Sequence, residues 1–404
     1  MQLLLSWIRT AICASVLLLV GCGDGNGSGP SAATAPMEPL AIQNISMKMD
    51  TVCAVRGDGA ARCWGLNAQY WDQSKKLVTG PLKQLMLDSS RFGTASCALN
   101  QEGRVFCWDP IQRNSLGRGG LPDWGDSMLP VAVLSNVAQL DTSRGTVCAV
   151  TNDGDVYCWG EGLADRPTKT IGLPKIKQVS VGEGNQCAVG VDSSLWCWGI
   201  FSSGTDGTGR GTRFQTETPF RVEIPRGGAT QVSVGESSIC AVSVISASVY
   251  CWGRNDYGEI GNNNKGNNAL FPQKVLLEDG EMAQQVSVGT QYACAMLTSG
   301  AARCWGNKQA GVLGNGEGGV WVDQRGYEAK PVMVKNGQGE FFGFKGIVAS
   351  LSIEKPDTTC AWGEGNQAWC WGSGEFGQLG DGDSGRILYV NTPKKVQATE
   401  SGWQ

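Results

Sequence analysis

The chain has 404 residues, 58 of them glycine, and charged residues make up only 17% of it, a turn-rich composition poor in charged helix surface. It contains no histidine, which excludes Ser-His-Asp and Cys-His nucleophiles and every imidazole metal ligand. The formal net charge of −4 provides no basic surface for phosphate groups, so nucleic acid is not expected as a partner.

The first element along the chain is an export signal over residues 1–21. Its apolar run ends at Gly21-Cys22 and is too short to span a bilayer. The tetrapeptide Leu19-Val20-Gly21-Cys22 resembles the bacterial lipobox, in which the cysteine is acylated and becomes the first residue of the mature protein. The resemblance implies a membrane anchor at Cys22. The alternative is an ordinary secretory signal that ends in a chance cysteine.

Residues 22–38 follow as the lipidated cysteine and a flexible linker rich in glycine, serine, alanine and proline. In lipoproteins of Gram-negative envelopes, an aspartate directly after the acylated cysteine usually retains the protein at the inner membrane. This chain has Gly23 there. The expected location is therefore the bacterial cell envelope, with a lipid anchor in the outer membrane and the folded domain periplasmic or surface-exposed.

Fourteen of the sixteen cysteines form seven pairs, and each second cysteine is followed by tryptophan. The members of a pair are ten residues apart, or eleven in one case, and the pairs recur along the chain at the spacing of propeller blades. The pairs are Cys53 with Cys63, Cys97 with Cys107, Cys148 with Cys158, Cys187 with Cys197, Cys240 with Cys251, Cys294 with Cys304, and Cys360 with Cys370. We interpret them as seven repeats.

Each repeat is predicted to be a four-stranded blade. Segments such as Val179-Ser180-Val181-Gly182 alternate with period two, and the cysteines flank a hairpin whose turn often contains Asp-Gly. A proline-led run closes each unit and is predicted to be the outer strand, because proline suits a sheet edge. These runs begin at Pro81, Pro130, Pro167, Pro219, Pro272, Pro331 and Pro393.

The hairpin register explains the cysteine spacing. Folding residues 53–63 about Asp58 places Cys53 directly opposite Cys63, at a separation near the lower end of the disulfide range. The pair of Cys240 and Cys251 should have a turn one residue longer. We therefore predict seven disulfides, each within one blade, although free buried thiols are the alternative. Zinc does not fit, since the chain has no C-x-x-C motif.

The unit V-S-V-G, C-A-V, turn, C-W-G and G-x-x-G resembles the regulator of chromosome condensation repeat in its bacterial, cysteine-bearing form. The best copies are 251–261 and 370–380. The resemblance implies an all-β, seven-bladed β-propeller of four-stranded antiparallel blades over residues 39–404, with the two chain ends joined in one blade. Eukaryotic relatives exchange nucleotide on a nuclear GTPase, an activity that we do not expect of an acidic exported chain.

No motif predicts a catalytic residue, a metal site or a cofactor. The repeat tryptophans are expected to pack between blades. Aromatic residues outside the repeat pattern are more informative, because insertions project from a propeller and can contact a partner. The candidates are Trp321, Tyr327, Phe341, Phe342 and Phe344, in a long interval between repeats 6 and 7. The alternative is that they form a small local core.

Two functions are compatible with these features. The first is a monomeric, non-enzymatic lipoprotein whose propeller binds an unidentified envelope or extracellular protein, or a surface polymer. The second is an enzyme that acts on envelope glycans through paired carboxylates, a chemistry that needs no histidine.

The lipobox resemblance generates a direct prediction. Mass spectrometry of the mature protein should find acylated Cys22 at its N-terminus, and Cys22→Ser should release the protein from the membrane fraction. An unmodified N-terminus would contradict the anchor.

Overall fold

The computed structural model describes residues 41–48, 50–66, 68, 78, 80–87, 96–108, 129–130, 134–318, 326–336, 339–340, 343–351, 357–363, 367–382 and 388–397. These residues form a seven-bladed propeller of antiparallel sheets, as the sequence predicts. They belong to a compact unit that spans Glu38–Gln404. Among them, no helix has the length and apolar character needed to cross a bilayer.

The blades follow one another in chain order. Blade 1 contains β1 (Ile42–Lys48), β2 (Thr51–Arg56) and β3 (Ala61–Gly65); blade 2 contains β4 (Leu82–Met86), β5 (Ser96–Asn100), β6 (Val105–Trp108) and β7 (Leu129–Pro130); blade 3 contains β8 (Val137–Ser143), β9 (Thr146–Thr151), β10 (Val156–Gly160) and β11 (Thr168–Lys169); blade 4 contains β12 (Ile176–Val181), β13 (Asn185–Gly190), β14 (Leu195–Phe201) and β15 (Phe214–Val222).

The remaining elements continue the same order. Blade 5 contains β16 (Ala229–Val234), β17 (Ser238–Ser243), β18 (Val249–Gly253) and β19 (Ala269–Lys274); blade 6 contains β20 (Ala283–Val288), β21 (Tyr292–Leu297), β22 (Ala302–Asn307) and β23 (Tyr327–Met333); a hairpin of β24 (Lys335–Asn336) and β25 (Gly339–Glu340) follows; blade 7 contains β26 (Phe344–Ala349), β27 (Thr358–Gly363), β28 (Ala368–Ser373) and β29 (Tyr389–Lys395). A 3₁₀ turn covers Gln309–Gly311.

All seven predicted disulfides are present in the structure, each within one blade. The second and third strands place the two cysteines directly opposite one another, with Cα atoms 4.0–4.2 Å apart. In blade order, Cys53 is bonded to Cys63, Cys97 to Cys107, Cys148 to Cys158, Cys187 to Cys197, Cys240 to Cys251, Cys294 to Cys304, and Cys360 to Cys370. The alternative of free buried thiols therefore does not apply to these cysteines.

The longer turn expected in blade 5 is present too. Val242 pairs with Val249 there, where blade 1 pairs Val55 with Ala61. The extra residue is absorbed in the turn, so the cysteines of blade 5 keep the same register as those of the other blades.

Six of the seven proline-led runs belong to fourth strands or lie directly before one. Pro81 is the exception. It lies immediately before β4, the first strand of blade 2, and the backbone carbonyl of Pro81 accepts a hydrogen bond from Gln101 N–H in that blade's own hairpin. The prediction for Pro81 is wrong because proline is equally suited to the position before a strand, where its missing N–H is not needed.

The repeat tryptophans connect neighbouring blades. The indole Nε1–H groups of four of them donate to backbone carbonyls in the G-x-x-G turn of the preceding blade, at 2.7–3.0 Å. The pairs are Trp64 to Gln378, Trp252 to Thr205, Trp305 to Glu259 and Trp371 to Val312. In each turn the last glycine lies against the indole at positive φ, where an added Cβ would approach the ring to 2.7–2.9 Å.

A second connection joins the first strands of adjacent blades, around the central channel. The Gln231 side chain accepts a hydrogen bond from Val286 N–H and donates one to the Val286 carbonyl. The same bridge to the next blade is made by Gln139 with Val179, by Gln178 with Val232 and by Gln285 with Ile347. The serine of the V-S-V-G motif adds a further bond, since Ser233 Oγ accepts from Val288 N–H at 3.0 Å.

The ring closes by packing between blade 7 and blade 1. Strand β1 contacts β26 and β27, and each described blade consists of strands that are consecutive in the chain. The expected joining of both chain ends within one blade is therefore not seen among the described strands. At this seam Gly346 replaces the bridging glutamine, Trp362 lies over it, and Trp362 packs on the apolar cluster of β1.

The glutamine bridge should contribute measurably to stability. Gln231→Met keeps the length of the side chain but leaves the Val286 N–H and carbonyl without their partner, which should lower the free energy of unfolding by about 2–4 kcal/mol. Chemical denaturation measures the change. The matched control is Gln273→Met, at an exposed position of β19. Its free energy of unfolding should lie within about 0.5 kcal/mol of the wild-type value. Equal effects of both changes would contradict the bridge.

Blade 3 has an aspartate where blades 1, 4, 5 and 6 have the bridging serine. Asp141 Oδ2 accepts from Val181 N–H at 2.8 Å and Oδ1 accepts from Thr142 N–H at 2.9 Å. Although the residue as a whole is only partly buried, its carboxyl group is enclosed by protein, and this burial raises the pKa of Asp141 to about 6. The folded chain therefore holds this proton at pH values where the unfolded chain has lost it.

Because the folded pKa is the higher one, stability should fall as the pH rises from about 4 to 6.5. The expected loss, relative to Asp141→Ser, is at most about 3 kcal/mol, since each pKa unit corresponds to about 1.4 kcal/mol. Urea denaturation of both proteins across this pH range measures it. Parallel pH profiles would show that Asp141 does not titrate in the folded state as inferred.

Candidate functional site

Antiparallel blades divide the connecting segments between two faces. Turns from first to second strands and from third to fourth strands lie on one face, which we call the loop face. Turns from second to third strands and the links between blades lie on the other, the hairpin face. The first strands border the channel, so their turns to the second strands surround its mouth on the loop face.

Two of the five predicted partner-binding aromatics, Tyr327 and Phe344, belong to the described residues, and these two lie near opposite faces of the propeller. Trp321, Phe341 and Phe342 lie outside the described residues. Tyr327 begins β23 at the loop face, and its ring is covered by Lys265 Nζ, 3.8 Å from the ring centroid. Phe344 lies beyond the opposite end of that strand, near the hairpin face.

Phe344 is a core residue, which corrects its assignment as a partner anchor. It is 3% exposed, and its ring lies 5.7 Å from that of Trp369 and 6.3 Å from that of Trp371, between blades 6 and 7. Its place in the sequence suggested an insertion because the interval before repeat 7 is long. Much of that interval is instead the outer strand of blade 6 and the link to β26.

A charged group lies at the channel mouth on the loop face. Arg144 follows β8, Glu183 follows β12 and Glu236 follows β16, so equivalent turns of three adjacent blades contribute one charge each. Arg144 and Glu183 form an ion pair. Arg254, directly after β18, pairs with Asp256 at 2.6 Å. We call Arg144, Glu183, Glu236 and Arg254 the mouth cluster.

Glu236 differs from the other members of the mouth cluster. Its side chain is partly buried, and this burial raises its pKa, while Arg144 and Arg254 offset part of the shift. Glu183 is instead held by direct contact with Arg144. The two glutamates occupy the same position in successive repeats, after the glycine of V-S-V-G. That repetition, visible in Gly182-Glu183 and Gly235-Glu236, is the signal that our reading of the sequence missed.

The mouth cluster is suited to recognising a charged or polar partner surface. Arginines in fixed ion pairs present several N–H donors, and arginine is enriched among residues that dominate protein interfaces. Within the described parts of the chain, no group of three Cys, Asp or Glu side chains could hold a metal ion.

The burial of Phe344 leads to a stability prediction. Phe344→Ala should remove about 3–5 kcal/mol from the free energy of unfolding, as expected for a buried aromatic residue. The control is Phe271→Ala, because Phe271 is 55% exposed on β19. Thermal denaturation of both variants distinguishes them. An effect of Phe344→Ala no larger than that of the control would restore Phe344 as a surface residue.

Family models and known proteins agree with this geometry. The model of the regulator of chromosome condensation (RCC1) repeat matches residues 246–296 and 365–403, and a second model of that repeat matches residues 137–163. The ultraviolet-B receptor UVR8 of Arabidopsis thaliana is 27% identical over 312 residues, which cover 76% of this chain and 57% of that protein. The human E3 ubiquitin-protein ligase HERC2 is 26% identical over 387 residues, 92% of this chain and 7% of that protein.

Solved structures share the fold at low sequence identity. Prp20p of Saccharomyces cerevisiae matches with a TM-score of 0.65 and 17% identity, over 89% of this chain and 87% of that one. Human WBSCR16 matches with a TM-score of 0.64 and 16% identity, over 80% and 87%. The chain spans little more than half of the receptor and a small part of the ligase. The chain therefore contains segments that match the RCC1 repeat, and its propeller is similar to those of RCC1 repeat proteins.

Proposed function

We propose that this protein is a lipoprotein of the bacterial cell envelope, anchored through Cys22, whose propeller binds another protein through the mouth cluster on its loop face. The observation that carries the binding role is the cluster itself, four charges from three adjacent blades around one end of the channel. None of the residues in this cluster is needed for the tryptophan contacts or the glutamine bridges that hold the blades together.

Relatives support a binding role for the fold. A yeast RCC1 propeller, Prp20, is described in complex with Kap60 and as binding Gsp1p and histones. Those partners belong to the yeast protein. What transfers as a proposal is the use of a propeller as a rigid surface for another protein, since low identity shows the fold alone.

The experiment uses the full chain in its native membrane. Arg144→Gln with Glu183→Gln removes one ion pair of the mouth cluster, at a cost to stability of at most about 1 kcal/mol because the pair is partly exposed. Photo-crosslinking from residue 291, in the corresponding loop-face turn of blade 6, should then lose at least about tenfold in yield of the partner adduct, the loss expected when an interface hot spot is removed.

The matched control is Arg56→Gln with Asp58→Asn, which removes a partly exposed ion pair from the hairpin face. It should leave the adduct unchanged. Equal yields from both double variants would contradict binding at the mouth cluster, whereas an unmodified Cys22 in the same cells would contradict only the anchor.

A second candidate function rests on the two glutamates. Glu236 has a raised pKa, as a proton donor requires, and Glu183 lies in the equivalent turn of the adjacent blade. Such a pair could hydrolyse an envelope glycan. If it does, Glu236→Gln should abolish release of reducing sugar from purified peptidoglycan, and no release by wild type would remove this candidate.

A further inference from the structure

The hairpin face of blades 4–6 exposes a set of large apolar side chains. Ile171 is 73% exposed, Ile245 70% and Val191 65%. Val244, Leu276 and Met282 are also exposed on the same face. We call these six residues the apolar arc. Isolated exposed apolar residues are common, but a contiguous set indicates an interaction surface.

Backbone hydrogen bonds join the turns and links that contain the residues of the arc. Val191 N–H donates to the Lys175 carbonyl, in the link that contains Ile171. Val244 N–H donates to the Gly228 carbonyl in the next link, and Ile245 lies against Gly227. Ala283 N–H, beside Met282, donates to the Ala247 carbonyl in the turn that follows Ile245. The apolar side chains therefore occupy successive segments along the rim.

The turn between the second and third strands of blade 5 has an apolar tip, unlike the equivalent turns of several other blades. Other turns between second and third strands place Asp58, Asp153 or Asp192 there, where a carboxylate can bond to the local backbone. Blade 5 has Val244-Ile245 instead, in the turn that is one residue longer. Neither the fold nor the proposed loop-face binding uses these side chains.

The N-terminal segment leaves the propeller on this same face. Ala41 precedes β1, and its carbonyl accepts a hydrogen bond from Gly57 N–H in the hairpin turn of blade 1. The 19 residue steps from Cys22 to Ala41 can span at most about 65 Å when fully extended. An acyl group on Cys22 would therefore be connected to the propeller at its hairpin face, the face that exposes the apolar arc.

Several of the charges beside the arc are held in ion pairs. Glu278 and Glu281 are held by Arg303 at 2.7–2.8 Å, and Lys175 is held by Asp155 at 3.1 Å. Paired charges cost less near a low-dielectric surface than free ones, because part of their field is already neutralised. Apolar burial, rather than attraction to anionic headgroups, would then provide the binding energy.

We propose that the apolar arc docks on the lipid surface to which the chain is anchored, with Ile171, Val191 and Ile245 entering the interfacial region. This inference rests on the proposed anchor at Cys22. Docking would hold the disc with its hairpin face on the bilayer and its loop face, with the mouth cluster, directed away from it.

The test uses full-length acylated protein in vesicles of phosphatidylethanolamine and phosphatidylcholine. Ile245→Cys introduces a reactive thiol, because the blade cysteines are in disulfides, and it is labelled with a polarity-sensitive fluorophore. A nitroxide quencher carried by the lipid should reduce emission several-fold more than at Leu163→Cys, a matched exposed position on the loop face. Adding Ile171→Ser and Val191→Ser should abolish the difference.

Each other outcome overturns the docking. If the protein floats with the vesicles but both labels respond equally, the anchor stands and the arc does not touch lipid. If the label at position 245 is shielded from water but is not quenched by the lipid nitroxide, the arc contacts protein instead of lipid. Shielding that depends on protein concentration would assign the arc to a second copy. Shielding that does not depend on concentration would assign it to the chain's own residues 22–40. Failure to float would contradict the anchor and the docking together.

Discussion

The contact between a repeat tryptophan and the preceding G-x-x-G turn is the interaction on which the propeller depends. It combines a buried indole, a hydrogen bond from its N–H to a turn carbonyl, and a glycine that leaves room for the ring. Trp305 with Glu259 and Gly261 shows all three parts. Each such contact buries an indole and joins one blade to the next. The motif therefore determines both the packing between blades and their order around the ring.

The glutamine bridges solve a different problem, the pairing of backbone groups where first strands meet around the channel. A glutamine side chain can satisfy one N–H and one carbonyl at once, as Gln231 does for Val286. The closing seam uses apolar packing by Trp362 instead. A ring tolerates such variation because each blade has two neighbours, and irregular repeats can rely on the contact that remains.

The two faces of the disc differ in the side chains that they expose. In the proposed function, this difference sets which face lies on the membrane and which face meets a partner. Charged turns of blades 3–5 border the channel on the loop face, while the apolar arc and the exit of the N-terminal segment share the hairpin face. An anchored disc that rests on lipid would present its charged face to a protein partner. The orientation and the binding surface would then follow from one topological fact, that the inner strand begins on the hairpin face.

The repeats, the hairpin register and the disulfides were predictable from the sequence, because cysteine spacing and turn residues act within one blade. Phe344 and Glu236 were not. Whether Phe344 faces solvent depends on Trp369 and Trp371, and the pKa of Glu236 depends on its burial and on arginines in other turns. Local patterns determine elements whose partners lie nearby in the chain. Burial, charge environment and the shared face of distant turns are decided only when the ring closes, since they depend on residues that are far apart in sequence.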